Sequence, residues 1–198
     1  MRKYIILLML IVFCFGFSSP HSRIIARKNA SATACTVDND SEQIAGNDQT
    51  QSGSSSSVYV CQKLTPSGNI TVTGYNVGIC DDNSDTNTTT MLVYNHDAGN
   101  DWPDETSLVS NSSKATAMSV FPTCDTFTPT FVAVDTTYSM TGSTPYWVCS
   151  VEDDSAQRKH ARDESSTGDR YCYSDAPASG WTCVDNWALI TQVYGCAE

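Results

Sequence analysis

Positive charge is scarce in this 198-residue chain. Eleven Lys and Arg face 22 Asp and Glu, which gives a formal net charge of −11 and a pI near 4.4. Such a surface repels phosphate backbones and anionic lipid, which sets nucleic acid aside as a partner. No CxxC pair occurs, so a zinc site has little support. The HExxH, GxSxG and P-loop signatures are absent as well. With three histidines in all, a Ser-His-acid site would have to use His96, beside Asp97, or His160, because His21 precedes the folded part. The bland reading of His96 is a solvent-facing residue at a turn. Paired Asp side chains for glycoside hydrolysis are a spatial matter that sequence does not display. The expectation is therefore a non-catalytic protein. Helical periodicity is missing, and the longest apolar run, "IILLMLIVFCFGF" at 5–17, has 13 residues against the roughly 20 that span a bilayer.

That run follows Arg2 and Lys3 and is followed by Ser18 and Ser19, the order of a secretory signal peptide. An uncleaved anchor competes, since Arg23, Arg27 and Lys28 flank the far side. The expectation is cleavage near Ser18, giving a signal peptide at 1–18 and no membrane span afterwards. Cys14 goes with the signal, and eight cysteines stay: Cys35, Cys61, Cys80, Cys124, Cys149, Cys172, Cys183 and Cys196. An even count in an exported chain reads as a disulfide framework. Eight cysteines allow 105 connectivities, so only Cys172–Cys183, joined by the turn-rich "SDAPASGW", is a ready expectation.

Residues 19–57 form a polar, low-complexity lead-in arm, "SEQIAGNDQTQSGSSSS" being linker-like. From Val58 onward, short β-rich runs alternate with turn clusters. The expected strands are 58–63, 70–80, 89–95, 114–121, 126–134, 145–151, 170–174 and 187–195. In "ITVTGYNVGIC" the apolar parity switches at Gly74, which predicts a β-bulge there. Eight such strands in residues 58–198 predict an all-β fold, a two-sheet antiparallel β-sandwich of jelly-roll type. The stretch 152–170, "EDDSAQRKHARDESSTGDR", is charged all round and reads as a long solvated loop whose basic cluster is a candidate protease site or anion contact.

The order of motifs from 57 to 196 resembles a jelly-roll module of exported bacterial and phage-associated proteins, found beside surface-anchor and cell-wall domains. The resemblance rests on "VYVCQKLTPSGNITVTGY", on "MLVYNHDAGNDWPDETSLV" with Tyr94, Pro103 and Leu108, on "MTGSTPYWVCSV", and on Trp181, Asp185 and the closing "VYG". It implies a β-sandwich used for surface display, adhesion or carbohydrate contact, and carries no catalytic residues over. The eight cysteines depart from that pattern.

Three groups of residues are candidates for function. Asp81, Asn83, Asp85 and Asn87 in "DDNSDTN" offer oxygens at alternating positions, as calcium loops do, with Asp97, Asp101, Asp153 or Asp154 as further ligands. Thr86 and Leu92 stand where an EF-hand needs Gly and Glu, so only a loose calcium site fits; the bland reading is a polar hairpin loop. Trp102, Trp181, Tyr171 and Tyr173 are the candidate exposed rings for a ligand, whereas Trp147 and Trp187 sit in strand patterns and read as core. Asn29, Asn39, Asn69, Asn87 and Asn111 begin N-glycosylation sequons. The resulting expectation is an extracellular, non-catalytic surface or adhesion module with a glycan or cell-surface protein as partner. The alternatives are a self-associating structural subunit that uses the arm for strand exchange, and a secreted glycan hydrolase.

Overall fold

The computed structural model describes residues 36–37, 49–50, 59–81, 87–124, 129–152, 158–163, 169–189 and 191–197. The expected signal peptide, Cys35, Asn29, Asn39, Asn83, Asp85, Asp153 and Asp154 lie outside these. The described residues are overwhelmingly β, with fifteen strands and two short 3₁₀ turns. The strands are β1 (Thr36–Val37), β2 (Gln49–Thr50), β3 (Tyr59–Leu64), β4 (Ile70–Val77), β5 (Ile79–Asp81), β6 (Thr88–Asp97), β7 (Trp102–Leu108), β8 (Lys114–Ala117), β9 (Thr130–Met140), β10 (Tyr146–Glu152), β11 (Arg158–Asp163), β12 (Arg170–Ser174), β13 (Thr182–Asp185), β14 (Ala188–Leu189) and β15 (Thr191–Ala197).

Every ladder between named strands is antiparallel. A four-stranded sheet runs β1-β15-β4-β9, and a seven-stranded sheet runs β13-β12-β3-β10-β6-β7 with β8 also on β6. A smaller sheet, β14-β11-β2 with β5 on β11, completes the set. The main core lies between the two larger sheets. Val72, Tyr75, Val77, Val132, Met140 and Val193 from one meet Leu64, Met91, Val93, Tyr146 and Val148 from the other. Tyr75 and Tyr138 bury their phenols there, hydroxyl to hydroxyl at 2.8 Å, and Tyr75 also reaches the Ser112 carbonyl at 2.7 Å. Burial drives both phenols well above the ordinary tyrosine range.

The parity switch in β4 has the cause the sequence suggested. Its register with β9 shifts between Val72 and Gly74, and the β15 register shifts at the same place. Buried side chains accordingly pass from Ile70 and Val72 to Tyr75 and Val77. Glycine is required because a Cβ at Gly74 would stand 2.8 Å from the Val132 carbonyl and 2.5 Å from the Phe131 ring.

Two expectations need correcting. The described residues hold fifteen strand segments rather than eight, partly because 70–80 divides into β4 and β5 and 187–195 into β14 and β15. The stretch 152–170 is not one long loop: β11 lies inside it and pairs with β2, β5 and β14. β11 escapes pattern reading because its buried His160 and Ala161 are adjacent and stand among charged residues, which leaves no apolar alternation to see. The lead-in arm also contributes strands, β1 on β15 and β2 on β11.

Among the described residues three bridges join cysteine pairs, Cys61–Cys149, Cys80–Cys124 and the expected Cys172–Cys183, and Cys196 is disulfide-bonded as well. Among the described residues no helix is long and apolar enough to cross a membrane.

Candidate functional site

Alternate residues of the seven-stranded sheet point away from the main core, and cross-strand register arranges them in rows. One row is Asp185, Arg170, Lys63, Trp147 and Tyr94, from β13, β12, β3, β10 and β6. Two residues along lies the row Cys183, Cys172, Cys61, Cys149 and Leu92. The next holds Ser174, Tyr59 and Val151. A second hydrophobic cluster forms on this outer face, with Trp147, Cys61, Cys149 and Cys172 fully enclosed.

Trp102 and Trp181 both pack, half-buried, on that same cluster. They arrive from opposite ends of the sheet order, Trp102 opening β7 and Trp181 immediately preceding β13. Trp181 meets Tyr59 edge to face at 6.1 Å. Trp102 is oriented by the turn before it. Asp97 accepts hydrogen bonds from Gly99 N at 2.8 Å, Asn100 Nδ2 at 2.7 Å and Trp102 Nε1 at 3.1 Å. Those bonds, Asn100's foremost, hold the Asp97 carboxyl below the usual range. Asp101 ends the turn with φ of 57°, in the left-handed region that Asp tolerates better than most residues.

Asp101 is the centre of the charged row. Lys63 Nζ pairs with it, Arg170 Nη1 lies 3.6 Å away and also binds Asp185, and His96 Nε2 lies 3.7 Å away. Burial pushes the Asp101 carboxyl up, but the Lys63 hydrogen bond and the charges of Lys63 and Arg170 win, leaving it below its ordinary value. His96 behaves in the opposite sense. Its Nδ1 accepts the Trp147 Nε1 hydrogen at 3.2 Å, which requires Nδ1 to be unprotonated. Burial, then the Lys63 charge, lower its pKa below the ordinary histidine value of 6.5 despite Asp101 and Asp97. Burial, helped by Tyr59 and Glu105, pushes the Tyr94 phenol up to about 12.

The remaining sequence candidates fall elsewhere. Tyr171 and Tyr173 are on the opposite face from Trp181, in a cluster with Val60, Leu189 and Trp187; Tyr171 is buried and stacks on Trp187 at 6.1 Å. They therefore lie apart from the cluster on which Trp102 and Trp181 pack. Asp81 is a buried β5 residue opposite Arg158 in the ladder, and Asn87 accepts the Met118 N–H through its carbonyl. Among the described residues no group of three or more His, Cys, Asp or Glu side chains is placed to hold a metal ion. Asn69 and Asn111 are exposed and Asn87 half-exposed.

His160 gains a partner that sequence reasoning did not name. Its Nε2 is 3.1 Å from Ser150 Oγ, with both side chains buried and Glu152 two residues along the same strand face. A Ser-His pair is the beginning of an acyl-transfer site, but that chemistry needs a substrate path and an oxyanion donor set.

In comparison with known proteins, no protein-family model matches the chain, and no curated protein shows significant similarity to it.

Proposed function

We propose that the protein is an exported, disulfide-framed surface module of jelly-roll type that binds carbohydrate, without catalysis, on the outer face of the seven-stranded sheet. The observation that carries this reading is the convergence of Trp102 and Trp181, far apart in sequence, on one cluster beside Asp97, Asn100, Asp101, Arg170 and Asp185. Half-buried indole rings give the apolar C–H face of a sugar a surface to stack on, and carboxylate, amide and guanidinium groups match its hydroxyls. Acidity disfavours a polyanionic ligand, so a neutral or cationic glycan is the class expected. The enclosed Ser150–His160 pair has the burial of a structural contact, which favours binding over hydrolysis. Disulfides favour an oxidising location outside the cell.

The test is a glycan array on the full chain and on Trp102→Ala and Trp181→Ala, with tryptophan fluorescence titration of any hit. Loss of binding in both variants supports the reading. Binding that survives both removes the platform, and a chain that binds no glycan removes the carbohydrate class.

A second reading, a structural subunit that exchanges strands with its neighbours, draws on β1 and β2. These two-residue strands of the arm add to sheets of their own chain, and the same pairing between copies would make an assembly. Size-exclusion chromatography separates the two readings: a monomer at all concentrations removes the second.

A further inference from the structure

Cys183, Cys172, Cys61 and Cys149 stand in one continuous row across β13, β12, β3 and β10, each opposite the next. Two bridges occupy the row, Cys172–Cys183 and Cys61–Cys149. Cys61 therefore has a cysteine as its ladder partner on both sides. In an antiparallel sheet a residue is hydrogen-bonded across one side and not across the other. The bridged pairs have Cα separations of 3.9 Å and 4.0 Å, the closer, non-hydrogen-bonded spacing. The unbridged middle pair, Cys61 and Cys172, is then the hydrogen-bonded one, with a Cα separation of about 5.5 Å, near the commonest value for a disulfide. A bridge between these two needs no change of register.

Access along the row is graded. Cys172, Cys61 and Cys149 are fully buried, and Cys183, on the edge strand β13, is partly exposed. We propose that the row is a thiol–disulfide exchange relay with Cys183 as the site where a small external thiol adds. A thiolate attacks Cys183 Sγ, forms a mixed disulfide there and releases Cys172 as thiolate. Cys172 attacks Cys61 Sγ, the Cys61–Cys149 bond breaks, and Cys149 leaves as thiolate and takes up the proton the external thiol lost. Two bridges and one thiol become the Cys61–Cys172 bridge, a thiolated Cys183 and a free Cys149 thiol, with no net oxidant required. The covalent tie moves from the β13/β12 and β3/β10 seams to the β12/β3 seam, and edge strand β13 loses its tether.

The test treats the folded full chain with reduced glutathione, quenches exchange with acid, traps free thiols with N-ethylmaleimide in acidic urea so that enclosed ones are reached, and maps bridges by peptide mass spectrometry. The expected product carries glutathione on Cys183, a Cys61–Cys172 bridge and the alkyl group on Cys149. Alkylation of Cys172 with Cys61–Cys149 intact overturns the relay. A Cys172→Ser/Cys183→Ser variant, shown folded by circular dichroism, should lose alkylation of Cys149 under the same treatment; alkylation at the wild-type rate overturns the entry point. Should that variant not fold, the wild-type bridge map decides alone.

Discussion

His96 and Asp101 face each other across the charged row and titrate in different windows. His96 has a folded pKa below the unfolded value near 6.5, so the unfolded chain binds the proton more tightly. Its contribution to stability is complete above pH 6.5 and is lost as pH falls from there through the folded pKa. Asp101 is also depressed, but from an ordinary value of 3.8, so its contribution is complete above that value and fades only in stronger acid. Melting temperature should thus decline in two stages on acidification. His96→Ala should flatten the stage between pH 7 and 5, and Asp101→Asn the stage below about 4. A single-stage profile in the wild type, unchanged by either variant, would count against these roles. Tyr75→Phe addresses a polar group enclosed in the main core. It leaves the Ser112 carbonyl and the Tyr138 hydroxyl without the phenol between them and should cost about 1–3 kcal/mol in a urea melt.

Elements were legible in the sequence where burial follows a period, and illegible where it does not. β3, β4, β6, β10 and β12 lie within a residue or a few of the expected runs because their apolar residues alternate or cluster. β7 was missed because "WPDETSL" is polar with a proline, which is tolerated where β7 lies, at the end of the sheet order. β11 was missed because its charged residues mask Ala161 and His160. The row of four cysteines was invisible because it is a property of register between β13, β12, β3 and β10, which no one-dimensional pattern contains. The packing of Trp102 and Trp181 on one cluster depends on the same cross-strand register. Two substitutions test the elements directly. Ala161 is enclosed and donates its N–H to the Gly78 carbonyl at 2.8 Å, so Ala161→Asp should cost roughly 2 kcal/mol or more, where a solvated loop would tolerate it. Gly74→Ala forces a methyl against the Val132 carbonyl, and a loss of about 1–3 kcal/mol is expected. Trimming Phe131 to Leu relieves only the ring contact, so the double variant should remain destabilised.

At the scale of the molecule, much of the pairing is long-range: Thr36 lies opposite Tyr194, and Cys61 opposite Cys149. Closing such loops costs chain entropy before contacts form, which predicts slow folding. It also ranks the bridges. The Cys61–Cys149 bridge spans 88 residues, Cys80–Cys124 spans 44 and Cys172–Cys183 spans 11. The loop-entropy relation gives about 4.6, 4.0 and 2.8 kcal/mol for these spans. Removing a bridge pairwise avoids leaving a thiol that could exchange along the row. Cys61→Ala/Cys149→Ala should therefore lose about 2 kcal/mol more than Cys172→Ala/Cys183→Ala, or about 4–8 °C in melting temperature for a domain of this size. The comparison is made with both variants oxidised, by thermal melts read at two protein concentrations. If the edge pair costs as much as the central pair, loop entropy does not set the ranking, and the strain or packing of the cysteine row on the outer face takes its place as the explanation.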